Sequence, residues 1–166
     1  MTDIRTLIIR PARPADLDAC AAVEAACFPP EQAADRESIR RRIAAYPAYI
    51  LVGETAGEVV GFAMGPVIDR ETIQDEMFAH TDCHNPQGPY QSVFSLAVRP
   101  DCQRRGYGRK LLEALIAKAR REGRRAVTLT CRERKIAYYE SFGFRKLGVA
   151  QSVHGGVVWY DMLLPL

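Results

Sequence analysis

The stretch Gln103-Arg104-Arg105-Gly106-Tyr107-Gly108 decides the fold of this chain, because it joins a predicted strand, residues 91–99, to a predicted amphipathic helix, residues 104–122. Glycines at the start of a helix leave backbone N–H groups uncovered, and the helix dipole adds positive potential there. The neighbouring arginines suit phosphate groups held by such backbone donors. The pattern therefore predicts an anion site, and a glycine-rich turn rimmed by solvated arginines is the purely structural alternative.

Outward from this stretch, strand and helix signals follow one another in a mixed α/β order. Strands are predicted at residues 4–10, 49–54, 58–68, 91–99 and 126–131, with two more after residue 144. Helices are predicted at residues 13–27, 36–45, 69–78, 104–122 and 134–142. Residues 79–90 are rich in polar side chains, Pro and Gly and form a predicted loop.

Length and charge limit the classes of protein that fit. The 166 residues predict a single domain over residues 1–166. The formal charge is only +3, but the segment Arg99–Lys135 holds 13 basic and 4 acidic residues, a local charge of +9. Nucleic acid is one partner for such a segment, yet the aromatic side chains that interleave basic residues in single-strand binders are missing. The sequence therefore predicts no nucleic-acid partner.

Cysteine usage and hydropathy predict a reduced compartment and no membrane span. The five cysteines are an odd number without a C-x-x-C pair, which excludes a disulfide framework and a zinc knuckle. The apolar runs are short compared with the roughly 18 residues of a membrane-spanning helix. The first residues show neither a basic leader nor an apolar core of a signal peptide. We therefore expect a cytoplasmic location, no membrane partner and no metal.

Two motifs resemble the GNAT superfamily of acetyl-CoA-dependent N-acetyltransferases. The stretch Gln103–Gly108 matches the family's pyrophosphate loop, with its strand before and its helix after, and Tyr138-Tyr139-Glu140-Ser141-Phe142-Gly143-Phe144 resembles a second family element. The resemblance implies an α/β fold with a mixed, mostly antiparallel sheet of about seven strands, about four helices and splayed central strands. It also implies an N-acetyltransferase that uses acetyl-CoA and releases CoA.

The resemblance assigns the cofactor site and the proton donor. Backbone groups of the strand before the loop would hold the pantetheine arm and polarise the acetyl carbonyl, while Tyr139 would protonate the leaving thiolate. Periodicity alone does not choose between Tyr139 and Tyr138. The implied cofactor-binding residues are Leu96, Ala97, Val98, Gln103, Arg104, Arg105, Gly106, Tyr107, Gly108, Arg109 and Tyr139.

The sequence is most similar to the arylalkylamine N-acetyltransferase group, on softer signals such as Cys27-Phe-Pro-Pro-Glu and Trp159-Tyr-Asp-Met. That group implies a small-molecule amine as acceptor, of arylalkylamine or polyamine type, and an apolar acceptor pocket. A core role for the aromatic members of the pocket is the alternative. We expect a monomer or a homodimer. The implied substrate-binding residues are Phe28, Pro29, Thr130, His154, Val157 and Trp159.

The general base is not supplied by the resemblance. The group's two strand histidines are replaced here by Ser92 and Phe94. An alkylamine with a pKa of about 10.4 is neutral in only about one of 2,500 molecules at pH 7, so a proton acceptor is expected. A water chain past Ser92 is preferred, with His154, His84 or Glu54 as further candidates. Acetylation of a protein N-terminus or lysine is the alternative function.

Overall fold

The computed structural model describes residues 6–166, which divide into two compact units. Unit 1 comprises the chain as far as Met64 together with Ser95–Ala117, and unit 2 comprises Gly65–Phe94 and Lys118–Leu166. The first two residues of the strand predicted at 4–10 lie outside the described part of the chain. A single domain over residues 1–166 stays a prediction.

The described residues form nine strands and five α-helices, joined by short 3-10 turns. The strands are β1 (Ile8–Pro11), β2 (Ile50–Thr55), β3 (Glu58–Met64), β4 (Val67–Ile68), β5 (Tyr90–Val93), β6 (Ser95–Val98), β7 (Ala126–Cys131), β8 (Arg145–Val149) and β9 (Tyr160–Pro165). The helices are α1 (Leu17–Cys27), α2 (Arg36–Ala45), α3 (Glu76–Ala79), α4 (Tyr107–Arg121) and α5 (Ile136–Glu140).

Unit 1 contains an antiparallel sheet in the order β1-β2-β3-β6. Helices α1 and α2 contribute to its core, where Val23 and Ile39 are buried in one cluster with Phe62 of β3. Strands β3 and β6 lie so close at Gly61 that an added Cβ would stand 2.7 Å from the carbonyl oxygen of Ala97. Glycine is therefore required at this position for β6 to pair.

Unit 2 contains a sheet in the order β4-β5-β7-β9-β8. Strands β5 and β7 run parallel, and the other pairs are antiparallel. The interior strand β7 is buried on both faces, since the adjacent Val127 and Thr128 are 0% and 1% exposed. The α/β class and the mostly antiparallel pairing are thus confirmed.

Four details of the sequence prediction are corrected. The strand predicted at 58–68 is interrupted at Gly65 and Pro66, since proline donates no ladder hydrogen bond. The strand predicted at 91–99 changes sheet at Phe94. The helix predicted at 69–78 is reduced to α3, because residues 69–75 take tertiary bonds instead, one from the Thr128 hydroxyl to the Glu71 carbonyl at 2.6 Å. In the described residues nine strands form two sheets, where the resemblance implied one sheet of about seven strands, and the α-helices number five, as in the sequence pattern.

A buried ionic cluster ties the start of α1 to the sheet of unit 1. The Arg10 guanidinium donates to both oxygens of Asp16 at 2.8 and 3.0 Å and to Glu54 at 3.1 Å. Asp16 is only 6% exposed and also accepts from the backbone N–H of Arg13 at 2.7 Å. These donors hold the pKa of Asp16 below its ordinary value.

We expect Asp16→Asn to lower the free energy of unfolding by about 1–3 kcal/mol, because it leaves the buried guanidinium with a poorer acceptor. The contribution of Asp16 is present above the pKa of its unfolded state and is lost as the pH falls through its lower folded pKa. Urea titrations at pH 7 and at pH 3 would measure both effects. The control is Asp18→Asn, since Asp18 pairs with Arg36 but its side chain is 83% exposed; a loss as large as that of Asp16→Asn would contradict the prediction.

Candidate active site

The free edge of β6 presents backbone hydrogen-bonding groups in unit 1. In antiparallel pairs, alternate residues direct both backbone groups at the partner strand and the others direct theirs away. Arg99 donates its N–H to Val60 at 2.7 Å, and Ala97 lies opposite Phe62, so these two residues face β3. Leu96 and Val98 therefore direct their backbone groups away from β3.

This alternation narrows the cofactor contacts expected from the sequence. The backbone of Ala97 is committed to β3, so its role as a backbone ligand is corrected to a structural one. The carbonyl of Val98 accepts from the Cys27 thiol at 3.1 Å and from the Gln103 amide at 2.9 Å. What remains on the outward side is the N–H of Leu96, the carbonyl of Leu96 and the N–H of Val98. These groups can form hydrogen bonds with the amides of an extended chain and with a carbonyl oxygen.

The loop before α4 contains two residues with a left-handed backbone. Gly106 has a φ of +81°, and an added Cβ there would meet no atom within 4 Å. Arg104 also has a positive φ, +64°, which costs a residue other than glycine about 1–2 kcal/mol. Such left-handed residues form backbone nests that bind anions. With the N-terminus of a helix of 15 residues beside it, the loop fits a pyrophosphate.

The side chains of this loop divide into exposed and anchoring groups. Arg104, Arg105 and Arg109 are exposed, and Arg109 pairs with Glu113 at 3.4 Å. Tyr107 is only 4% exposed, so its side chain anchors the helix, and its predicted contact with the cofactor would be through the backbone. The Gln103 side chain is bonded to Val98, which fixes the loop to the end of β6.

In unit 2, the structure distinguishes the two adjacent tyrosines. Tyr139 packs edge-on against the buried Phe144 at 5.9 Å, whereas Tyr138 lies against Phe142 at 5.2 Å and under the Lys135 ammonium at 5.7 Å. Desolvation raises the pKa of Tyr139 far above its ordinary value, and the nearby Cys131 thiol contributes in the same direction. Tyr139 therefore keeps its proton at neutral pH, as a proton donor must.

An aromatic cluster in unit 2 contains two of the predicted acceptor residues, His154 and Trp159. The His154 ring stacks on Phe78 at 5.2 Å, Phe78 lies 4.7 Å from Phe94, and Trp159 lies 6.2 Å from His154. The Trp159 indole N–H donates to the His154 carbonyl at 2.7 Å. Phe78 and Phe94 were not expected here, because an aromatic residue in a predicted helix and one in a predicted strand carry no signal of their partners in sequence.

The other predicted acceptor residues lie apart from this cluster. Phe28 is partly buried and packs against the core of unit 1, and Pro29 is exposed in the same unit. Thr130 lies on β7 opposite Asp161 of β9, and Val157 is half-buried in the segment before β9. Their assignment to an acceptor pocket stays a prediction.

Ser92, past which a water chain was expected, and two of the candidate bases, Glu54 and His84, are engaged in structural bonds. The Ser92 hydroxyl is fully buried and donates to the Pro66 carbonyl at 2.5 Å. Glu54 accepts from Arg10. The His84 Nδ1 accepts from the Val67 N–H at 3.1 Å, and desolvation lowers the pKa of His84.

Asp161 is a candidate that the sequence interpretation missed, although it lies inside the Trp159-Tyr-Asp-Met signal. One of its carboxylate oxygens, Oδ1, is buried and has no hydrogen-bond partner among the described residues. Burial raises the pKa of Asp161. Only the pairing of β9 with β7 reveals this environment.

The described residues contain no group of three His, Cys, Asp or Glu side chains placed to hold a metal ion. In residues 6–166, no helix combines the length and the apolar character needed to cross a membrane.

The fold and the site define an acyl-CoA transferase of the GNAT class, and the comparison with known families agrees. Residues 17–144 match the acetyltransferase (GNAT) family, and the chain belongs to it. Over 139 residues it is 34% identical to the mycothiol acetyltransferase of Propionibacterium freudenreichii subsp. shermanii, covering 78% of this chain and 40% of that protein. Over 68 residues it is 43% identical to the ribosomal protein bS18-alanine N-acetyltransferase of Salmonella typhimurium, covering 38% of this chain and 45% of that protein.

Among solved structures, the chain is similar to the GphF GNAT-like decarboxylase in complex with isobutyryl-CoA. The identity is 25%, the TM-score is 0.82, and the match covers 95% of this chain and 98% of that one. The predicted GNAT fold and the predicted type of cofactor are thereby confirmed. The chain spans less than half the length of the two curated relatives it matches. Neither relative is an arylalkylamine acetyltransferase by name.

Proposed function

We propose that this protein is an acetyl-CoA-dependent N-acetyltransferase whose acceptor is the primary amine of a small molecule of arylalkylamine or polyamine type. The observation that carries the proposal is the continuity of the open β6 edge with the Gly106 loop and the N-terminus of α4 in unit 1. An amide-rich arm fits the edge, and a pyrophosphate fits the loop. A cytoplasmic location remains our expectation.

Acetyl-CoA, when bound, supplies the acetyl thioester. The outward N–H of Leu96 or Val98 then stabilises negative charge on the acetyl oxygen, a contribution that fixed backbone dipoles make without reorganisation. Exposed Arg104 and Arg105 neutralise phosphate charge. Tyr139 holds the proton that the thiolate requires.

The aromatic cluster of Phe78, Phe94, His154 and Trp159 supports the small-molecule acceptor. Its rings offer apolar surface to an aryl group or to the methylenes of a polyamine. The second candidate is a protein N-terminus, which the 43% identity to the ribosomal-protein alanine acetyltransferase favours over a lysine. That identity extends over only 38% of this chain.

A turnover screen separates the two acceptors. The purified protein is incubated with acetyl-CoA and with phenethylamine, spermidine, an aminoglycoside or an N-terminal alanine peptide, and the free CoA thiol is followed. We expect kcat/KM to be highest for phenethylamine or spermidine. A higher value for the peptide would favour the second candidate, and no turnover together with no CoA binding would contradict both. Because one structural neighbour is a decarboxylase, malonyl-CoA without amine serves as a further control.

We expect Gly106→Ala to raise the Kd for CoA about 10-fold, because the new residue disfavours the left-handed conformation on which the nest depends. Calorimetric titration with CoA would measure the change. Gly57→Ala is the matched control, since Gly57 has a φ of +80° and equal open space but lies in the β2–β3 turn. Both variants should lose about 1–2 kcal/mol of stability. An equal loss of CoA affinity in both would contradict the prediction.

A further inference from the structure

We propose that Asp161 is a catalytic residue that binds the ammonium group of the acceptor and accepts its proton. The inference rests on the proposed function and deepens it, because it assigns the base that the replaced strand histidines leave open.

The position of Asp161 follows from the pairing of β7 with β9. Leu166 donates its N–H to Arg125 at 3.0 Å, which makes that pair hydrogen-bonded, and the alternation then makes Thr130 and Asp161 a non-hydrogen-bonded pair. Side chains of such pairs lie close together on one face of the sheet. Thr130 therefore flanks the carboxylate on the β7 side.

On the β8 side, the residue opposite Asp161 is Gly148, and an added Cβ there would meet no atom within 4 Å. Along the strand direction, Trp159 continues the β8–β9 ladder, since Ala150 donates to its carbonyl at 2.8 Å. Residues two apart in a strand share a face, so Trp159 and Asp161 lie on the same side. The aromatic cluster thus reaches the neighbourhood of the carboxylate.

One oxygen of the Asp161 carboxylate has no hydrogen-bond donor among the described residues. Its Oδ1 is buried without a hydrogen bond among the described residues, although the side chain as a whole is half-buried. A buried acceptor left unpaired costs about 1–3 kcal/mol. An ammonium group supplies the missing donor, and an aromatic or methylene chain beside it fits the cluster.

Few other charged groups face this carboxylate. From β7 come the uncharged Thr128 and Thr130. On β8, Lys146 is directed at the Tyr160 ring on the opposite face, while the exposed Arg145 lies on the same face as Asp161 but opposite Leu163, two residues farther along β9. In the segments that lie on this side of unit 2, Asp75 accepts from Ser152 and from the Val153 N–H, Glu71 contributes its carbonyl to Thr128, and His154 is stacked in the cluster. Desolvation is accordingly the cause that raises the pKa of Asp161.

Asp161, the proposed base, and Tyr139, the proposed acid, lie on opposite faces of the sheet at the end of β7. Thr130 and Asp161 share one face at the end of β7, while the next residue, Cys131, lies on the other face near Tyr139. In the proposed step, one proton moves from the ammonium nitrogen to the Asp161 carboxylate. The freed lone pair forms the N–C bond at the thioester carbonyl, the C–S bond breaks, and the thiolate takes the proton of Tyr139.

The test compares wild type with Asp161→Asn, using phenethylamine and spermidine as acceptors. We expect kcat/KM to fall about 100-fold or more, the Kd for acetyl-CoA to stay within threefold, and the acid limb of the kcat/KM profile to disappear. Asp161→Glu, which keeps the carboxylate, should recover part of the loss. Asp18→Asn is the control and should match wild type.

A second readout does not depend on activity. An acid whose folded pKa is raised destabilises the fold as the pH rises through that pKa, so Asp161→Asn should have a higher Tm than wild type at pH 8 and a similar Tm at pH 3. A lower Tm at pH 8 would show a merely structural role and overturn the inference.

Failure of the inference about Asp161 and failure of the proposed function give different results. An active wild type whose Asp161→Asn variant keeps kcat/KM within threefold, or loses acetyl-CoA binding in parallel, overturns the inference alone. A wild type that acetylates neither amine but acetylates the alanine peptide overturns the small-molecule assignment, and the Asp161→Asn comparison is then made with the peptide. A wild type that acetylates no amine overturns the proposed function and the inference together.

Discussion

Replacing Tyr139 by Phe is expected to lower kcat about 100-fold, which corresponds to about 2.7 kcal/mol of transition-state stabilisation. The variant keeps the ring that packs against Phe144 and removes only the hydroxyl proton. The Kd for acetyl-CoA should therefore stay within threefold of wild type. Steady-state kinetics with saturating amine, combined with calorimetric binding, would measure the two quantities separately.

The pH dependence of kcat tests the role of Tyr139 as the general acid. A general acid must be protonated, and desolvation raises the pKa of Tyr139 well above its ordinary value. Tyr139 should therefore cause no alkaline decline of kcat up to about pH 10, near the unperturbed tyrosine pKa. Tyr138→Phe is the matched control, because Tyr138 packs against Phe142 instead. If Tyr139→Phe turned over like wild type at every pH, the tyrosine would only pack against the cofactor.

Replacing Leu96 by Pro is expected to lower kcat/KM about 100-fold, because it removes one N–H from the free edge of β6. Removal of a single backbone-type donor to a developing oxyanion typically costs 10²–10³-fold. Edge strands tolerate proline where the N–H faces outward, so the variant should still fold. Leu96→Ala, which removes the side chain but keeps the N–H, should lose less than threefold.

Ala97→Pro provides the opposite comparison. The N–H of Ala97 faces β3, so its loss should reduce the free energy of unfolding by about 1–3 kcal/mol through an unmade buried hydrogen bond. Denaturant titrations of both proline variants would show whether the N–H of Ala97 faces β3 and the N–H of Leu96 faces away from it. A Leu96→Pro protein with normal kinetics would exclude the Leu96 N–H as the donor to the acetyl oxygen and would leave that role to the outward N–H of Val98.

The cofactor half of the candidate site could be predicted from local sequence. Arg104 and Gly106 form their nest from backbone dihedral angles, and these depend on residues adjacent in the chain. The start of α4 beside them follows from its apolar periodicity. Loop, helix and cofactor type were therefore accessible without long-range contacts.

The acceptor half could not be predicted in the same way. Phe78 and His154 stack although they are 76 positions apart in the sequence, and Asp161 acquires its environment from a strand that begins at Ala126. Which of Leu96, Ala97 and Val98 faces outward depends on the register with β3. Ser92, past which a water chain was expected, and His84, a candidate base, are committed to backbone partners that sequence does not reveal.

The Gln103–Gly108 stretch thus indicated by itself the class of fold and a candidate anion site, because short-range backbone geometry and helix electrostatics need no distant partner. Tertiary structure alone decided which backbone groups of β6 face away from β3, and that Oδ1 of Asp161 is buried without a donor among residues 6–166. Strand register and side-chain burial are set by residues far apart in the chain, and therefore only the folded molecule reveals them.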